Sequence, residues 1–194
     1  MISLLAIMHC CTFVFIPSET NVQDAVAKAL EPFDEALEVK PYRVHLAHHE
    51  VRRMAAYVKI DPANLHELAK RMPEWTNREG GVDRDGLFYL SPCNPDGRWD
   101  CYEIGGRWNG YIPRAHQNTV KASTLAKSPK LKQCLPFYVL TPEGEWIEHE
   151  RCYFDGDWKK MKREQMKQDA WTRLVRETLR RWPDHQVVCV EMHC

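Results

Sequence analysis

The chain lacks most of the short motifs that announce a chemistry. None of its eight cysteines forms Cys-x-x-Cys, which excludes a zinc ribbon and a thioredoxin-type pair. There is no Gly-x-Ser-x-Gly, hence no nucleophile elbow of the hydrolase kind. No glycine-rich loop ends in lysine, so a phosphate loop is excluded too. Helix-turn-helix, RNA-binding and zinc-finger signatures are missing. The formal net charge is zero, so bulk electrostatics favour neither nucleic acid nor a membrane. No apolar run reaches the roughly 20 residues of a transmembrane helix. Residues 1–16 are apolar but carry no basic start and no small-residue cleavage site. Their end, Thr12-Phe-Val-Phe-Ile16 followed by Pro17, reads as a buried strand. The expectation is a cytoplasmic chain with reduced thiols and no membrane contact.

What is present fits a single α+β domain over residues 1–194, within the roughly 100–200 residues of one domain. Thr20 and Gln23 have the spacing of a capping box, opening a helix with Val22, Val26, Ala29 and Leu30 on its apolar stripe. Tyr42–Leu46 alternates like a short strand, and 48–58 has helical spacing. Asp61-Pro62 predicts a helix start, and 79–85 a glycine-rich turn. Phe88 to Trp99 and Phe137 to Trp146 share one layout: a strand, a Pro-Asp/Glu-Gly turn, then a strand around a tryptophan. Each predicts a β-hairpin, because proline fixes φ and glycine accepts positive φ. Residues 114–135 read as a long loop with one short helix at 124–126. Residues 158–182 read as the longest helix, with Trp171, Leu174, Val175, Leu179 and Trp182 on its stripe. Gln186–Cys194 predicts a closing strand. The expected architecture is a mixed or antiparallel sheet with helices packed on one face and ferredoxin-like elements.

The densest segment runs from Trp99 to Tyr111. It combines Trp99, Asp100, Tyr102, Glu103, Gly105, Gly106, Arg107, Trp108 and Asn109. Gly105-Gly106 permits positive φ or a close backbone approach, and such a turn can form an anion nest. Arg107 has the fork that binds a carboxylate or phosphate. Trp99, Tyr102 and Trp108 are candidates for stacking on a planar group. The competing reading is architectural: a strand ending in a bulge, with Arg107 paired to Glu103 or Asp100 and the tryptophans in the core.

The run Trp-Asp-x-Tyr-x-Ile-Gly-Gly-Arg-Trp-x-Gly, preceded by Tyr-x-x-x-x-Asn-Pro-Asp-Gly, resembles a family of bacteriophage and bacterial proteins without an assigned activity. Phe33-Asp-Glu, Gly80-Gly81, Thr141-Pro-Glu-Gly-Glu-Trp146 and the C-terminal valine strand extend the resemblance over most of the chain. It implies a phage or prophage setting and brings no catalytic residue or cofactor with it. The pattern carries larger aromatics where this chain has Cys93 and Cys101.

His9-Cys10-Cys11 and His193-Cys194, with Cys189, could supply two thiolates and an imidazole to zinc if the first and last strands were neighbours. Buried, inert thiols are the default there, and no metal or cofactor is assigned. His45, His48 and His49 cluster without a partner nucleophile. The first 39 residues hold six acids against one lysine, and 158–182 hold nine bases against three acids. That basic helix is a candidate for non-specific phosphate contacts.

The resulting expectation is a binding or inhibitory module recognising a host or defence protein or an anionic small ligand. The alternatives are a small enzyme on a phosphorylated or nucleotide substrate, with Arg107 as clamp, Glu103 or Asp100 as acid/base and His193 assisting, or nucleic-acid binding through the basic helix.

Overall fold

The computed structural model describes residues 9–149 and 158–193, with side chains from Lys167 onward in the last helix. The side chains of Lys159, Lys160, Lys162 and Arg163, the start of the apolar N-terminal stretch and Cys194 lie outside the described residues. The chain is α+β with a mixed sheet, and it divides into two compact units: residues 1–35 with 98–194, and residues 36–97.

The first unit is built on β1 (His9–Ile16) and β9 (Gln186–His193), antiparallel over their whole length. Both are nearly continuous apolar runs, buried from Cys10 to Ile16 and from Val187 to Met192. Such runs need cover on both faces. Cys11, Phe13, Phe15, Val187 and Cys189 face one core, and Val14, Ile16, Val188, Val190 and Met192 face the other. Beyond β1 lie β7 (Tyr138–Leu140), parallel to it, and β8 (Trp146–Glu148), antiparallel to β7. Beyond β9 lie β5 (Cys101–Ile104) and β6 (Thr119–Lys121), end to end and both antiparallel to it.

The helices are therefore not confined to one face. Helix α1 (Val22–Leu30) buries Val26 and Leu30 on the Val14–Val190 side. Helices α5 (Ala122–Ala126) and α6 (Trp158–Arg181) bury Leu125, Trp171, Val175 and Leu179 on the Phe13–Cys189 side. The ferredoxin-like succession occurs in β1, α1, β7, β8, α6 and β9, but β1 lies directly against β7 and the two helices take opposite faces. Two fully buried central strands leave the chain no other way to cover the sheet.

Local differences have local causes. The cap of α1 is Asn21, whose side chain accepts from the Asp24 N–H, while the Thr20 hydroxyl is spent on the Pro17 carbonyl. Residues 114–135 contain β6, α5 and a 3-10 turn at Leu131–Gln133 instead of a plain loop. Pro142-Glu-Gly144 does make a hairpin, joining β7 to β8. Pro95-Asp-Gly97 does not: β4 (Gly86–Cys93) precedes it in the second unit, and β5 after it pairs with β9. The chain leaves the first unit and returns to it side by side. Arg98 N–H donates to the Phe33 carbonyl at 2.8 Å, Glu35 N–H to the Trp99 carbonyl at 3.0 Å, and the Trp99 indole to the Leu30 carbonyl at 3.1 Å.

The second unit has its own antiparallel sheet in the order β2 (Glu38–His45), β4, β3 (Gly80–Asp83). The glycine-rich stretch at 79–85 is thus largely a strand. Helices α2 (His48–Val58), α3 (Leu65–Lys70) and α4 (Met72–Thr76) close a core of Met54, Leu68, Met72 and Leu87. Helix α3 starts later than Asp61-Pro62 predicts, because Asn64 supplies the cap.

Two outcomes are expected. Leu179 is fully buried and Leu174 is 41% exposed, so Leu179→Ala costs about 2–5 kcal/mol in urea unfolding while Leu174→Ala costs well under 1 kcal/mol, as a rough scale. Burial pushes the Tyr111 phenol up to about 12, and its hydroxyl donates to the Leu135 carbonyl. The folded value lies above the unfolded one, near 10 by the usual rough scale. Tyr111 therefore contributes stability that is whole below the unfolded value and lost as pH rises toward the folded one. An alkaline absorbance titration should show a late-ionising tyrosine that disappears in Tyr111→Phe.

Candidate functional site at the polar end of the six-stranded sheet

Residue pairing across three strands builds the site. His9 on β1 pairs with His193 on β9, and Cys101 on β5 pairs with His193 from the other side. One step inward, Cys11, Glu191 and Glu103 form the next row. Alternation puts both rows on the face that holds Phe13 and Cys189 further along. The apolar face thus ends in a polar patch at the end of the sheet. An open cavity of about 570 Å³ lies there, lined by His9, Cys101, Glu103, Arg107, Glu191 and His193, with Tyr102 and Gly106 completing the wall.

Glu191 is the centre. It is 6% exposed in a strand otherwise filled with apolar residues. A buried carboxylate requires partners. One oxygen lies 2.5 Å from Nδ1 of His9, and the other accepts the Arg107 backbone N–H at 2.5 Å. The Arg107 Nε lies 3.4 Å from Glu191, with its own side chain 68% exposed. Arg107 is therefore paired with Glu191 rather than with Glu103 or Asp100, because the turn after β5 folds back over β9. Gly105, φ +77°, donates its N–H to the Cys189 carbonyl at 2.8 Å and starts a 3-10 turn over Gly106–Trp108. Gly106 follows with φ +48°, and a Cβ there would land on the Glu191 carboxylate.

At the outer row, Nδ1 of His193 lies 2.6 Å from Asp100 Oδ1. Asp100 sits in a bend just before β5, and its backbone N–H donates to the His193 carbonyl at 3.1 Å. The His193 hydrogen bond holds the Asp100 carboxyl below its usual range. Desolvation, then the Asp100 carboxylate, pushes the Cys101 thiol up, the wrong direction for a thiolate nucleophile. Each imidazole thus has a carboxylate at Nδ1. A carboxylate only accepts, so Nδ1 carries the proton and the neutral ring keeps its lone pair on Nε2.

The nine sequence candidates between Trp99 and Asn109 separate, and the tenth, His193, stays with the cavity. Glu103, Gly106, Arg107 and His193 line it with Tyr102, and Asp100 holds His193. Trp99 is buried in the α1-side core, where its ring meets that of Tyr102 at 5.1 Å. Trp108 packs on the other core against Tyr111 and Phe137. Asn109 is exposed and closes the turn through its N–H to the Gly106 carbonyl. The tryptophans are thus occupied in packing and do not form a stacking platform. His9 and Glu191 complete the site without having been singled out for it. The available signal was a lone acid inside the valine run of β9 and a histidine at the matching end of each central strand.

The thiols of Cys11 and Cys189 face the core and not the cavity. Cys11 and Cys189 are buried with their sulfurs 3.5 Å apart, and Cys134 is buried in the same core. The neighbouring sulfur and burial push the Cys11 thiol far up, and burial takes Cys134 to about 11. These are inert packing groups. In the second unit, His45 lies 2.9 Å from Asp83, which also holds Arg43. A larger concavity of about 770 Å³ opens at the far end of β1, beside α1 and Pro142–Gly144. Its wall is mostly apolar, and its titratable groups do not converge as those of the polar end do.

Gly106→Ala should lower stability by about 2–4 kcal/mol, combining left-handed strain with overpacking against Glu191. Gly110, φ +75°, has open space where its Cβ would be, so Gly110→Ala should cost only the strain, about 1 kcal/mol. Urea unfolding of both variants separates the two contributions. Comparison with protein-family models, with curated proteins and with solved structures gave no match for this chain.

Proposed function

We propose that the protein is a binding module of the phage or prophage accessory kind and that it recognises an anionic small ligand at the polar end of the six-stranded sheet. The setting rests on the resemblance of the Trp99–Gly110 run. The ligand class rests on one observation: Arg107 stands exposed at the cavity while the carboxylate beside it is buried and already engaged.

The placement of the hydrogen bonds supports this reading. Glu191 directs its oxygens at His9 and at the Arg107 N–H, and Asp100 directs one at His193. The groups left for a ligand are the terminal nitrogens of Arg107, the outer nitrogens of the two imidazoles, Cys101 and Glu103. A guanidinium fork suits paired oxygens, and imidazoles add donors when protonated. Only Nε of Arg107 is engaged by Glu191, at 3.4 Å, and the rest of the guanidinium stands in solvent.

A thermal-shift screen of inorganic phosphate, nucleotides and small carboxylates, run with a chelator present, tests the proposal. A ligand at about 100 times its Kd stabilises by about 2.7 kcal/mol. A phosphorylated or carboxylated compound should raise the wild-type melting temperature and leave Arg107→Ala unmoved, the ligand-free variant melting like wild type. No shift in wild type, or the same shift in the variant, would overturn it.

A further inference from the structure

We propose that a divalent transition-metal ion of the zinc class binds at Asp100, Cys101 and His193, beside His9. The inference needs no contribution from Arg107 and stands apart from the anion reading.

The ligand atoms of Asp100, Cys101 and His193 all lie within 4.8 Å of one another. Bonds of about 2.0–2.3 Å in a tetrahedral zinc site put ligand atoms about 3.3–3.8 Å apart. The sulfur therefore closes inward by about 1 Å, and the carboxylate–imidazole hydrogen bond opens by somewhat less as the His193 ring gives up its Nδ1 proton and carries one on Nε2 instead. Cys101 and Asp100 are exposed and His193 is half-buried, so these are side-chain movements only. The backbone is already in place. Cys101 is opposite His193 in register, and the bend at Asp100 is fixed by its N–H on the His193 carbonyl. Adjacent residues of a regular strand would point to opposite faces. The bend ahead of β5 is what lets Asp100 and Cys101 share one.

His9 supports the assignment independently. It flanks His193 on the side away from Cys101, with ring centroids 5.2 Å apart. Its Nδ1 is held by the buried Glu191. An imidazole whose second nitrogen is fixed by a carboxylate is the device that orients metal-binding histidines. The donor set also selects the ion. Thiolate with imidazole favours zinc and its neighbours over calcium and magnesium, which take oxygen ligands. Ligation releases the thiol proton to solvent, so affinity falls as pH falls. Three protein ligands leave one position open to water or to a small anion. A second group, His45, Asp83 and Asp85, also gathers titratable atoms. There Arg43 already pairs with Asp83 at 2.9 Å, and no thiol is among the ligand atoms.

Cobalt(II) reports the test. The full chain, freed of metal by chelator and reduced, is titrated with cobalt(II) and then with zinc. Wild type should bind a single equivalent, show a thiolate-to-cobalt charge-transfer band with tetrahedral d–d absorption, and lose both to zinc. Cys101→Ser should abolish the charge-transfer band, and His193→Ala the stoichiometric binding, with far-UV circular dichroism unchanged. Cys93→Ser, at another exposed thiol, should behave as wild type. His9→Ala should weaken zinc binding by about 10–100-fold. Failure of wild type to bind cobalt or zinc stoichiometrically at micromolar protein would overturn the inference, as would a charge-transfer band that survives in Cys101→Ser. If a substituted chain does not fold, the zinc-induced rise in wild-type melting temperature and its reversal by chelator still decide the matter. Arg107→Ala should bind metal normally, so failure here and failure of the anion reading are distinguishable.

Discussion

A carboxylate buried in an apolar strand must be satisfied where it stands, and much of the local structure follows from Glu191. Leaving such a group unpaired costs on the order of several kcal/mol. Its partners come from opposite parts of the chain: the His9 ring from the first strand and the Arg107 N–H from the turn after β5. The turn can reach it only by lying flat on β9. That requirement explains Gly106, where a side chain would collide with the carboxylate. Gly-Gly-Arg is therefore in the first place the sequence of a turn that seats a backbone N–H on a buried acid. The exposed guanidinium is what the turn delivers to the surface.

The sheet obeys a second constraint. Strands β1 and β9 carry apolar residues on both faces, so each face needs its own helical layer. The polar residues of these strands are then confined to the strand ends, Thr12 and Glu191. Histidine is tolerated at the end row because the cavity is open there. The candidate site is the place where the double-sided core runs out.

Legibility in the sequence follows the same division between local and distant causes. The valine run of β9 and, apart from the exposed Leu174, the stripe of α6 were readable because periodicity and residue type decide them locally. The Pro142-Glu-Gly144 hairpin was readable because its two strands pair with each other. Pro95-Asp-Gly97 has the same chemistry but a different outcome. The strand that follows it pairs with residues 190–193, and no turn signal reports a partner so far away. Arg107 was legible as a candidate but its partner was not, since Glu191 is 84 residues away. Of the two readings of the tryptophans, packing in the core is the one realised, and its contacts are equally distant. Trp99 closes α1 through the Leu30 carbonyl, and a contact of that separation leaves no local trace.

The position of β9 in the chain sets an order for assembly. It follows every strand it pairs with, β1, β5 and β6 alike. During synthesis those three exist before their common partner does. Residues 36–97 can complete their own sheet from contacts among themselves, whereas the first unit waits for a strand more than 170 residues after its first. Long-range pairing of this kind slows folding, and open edges of apolar strands invite pairing with other chains in the interval. The polar cavity is then the last feature to form, closed only when Glu191 arrives between His9 and the turn at Gly106.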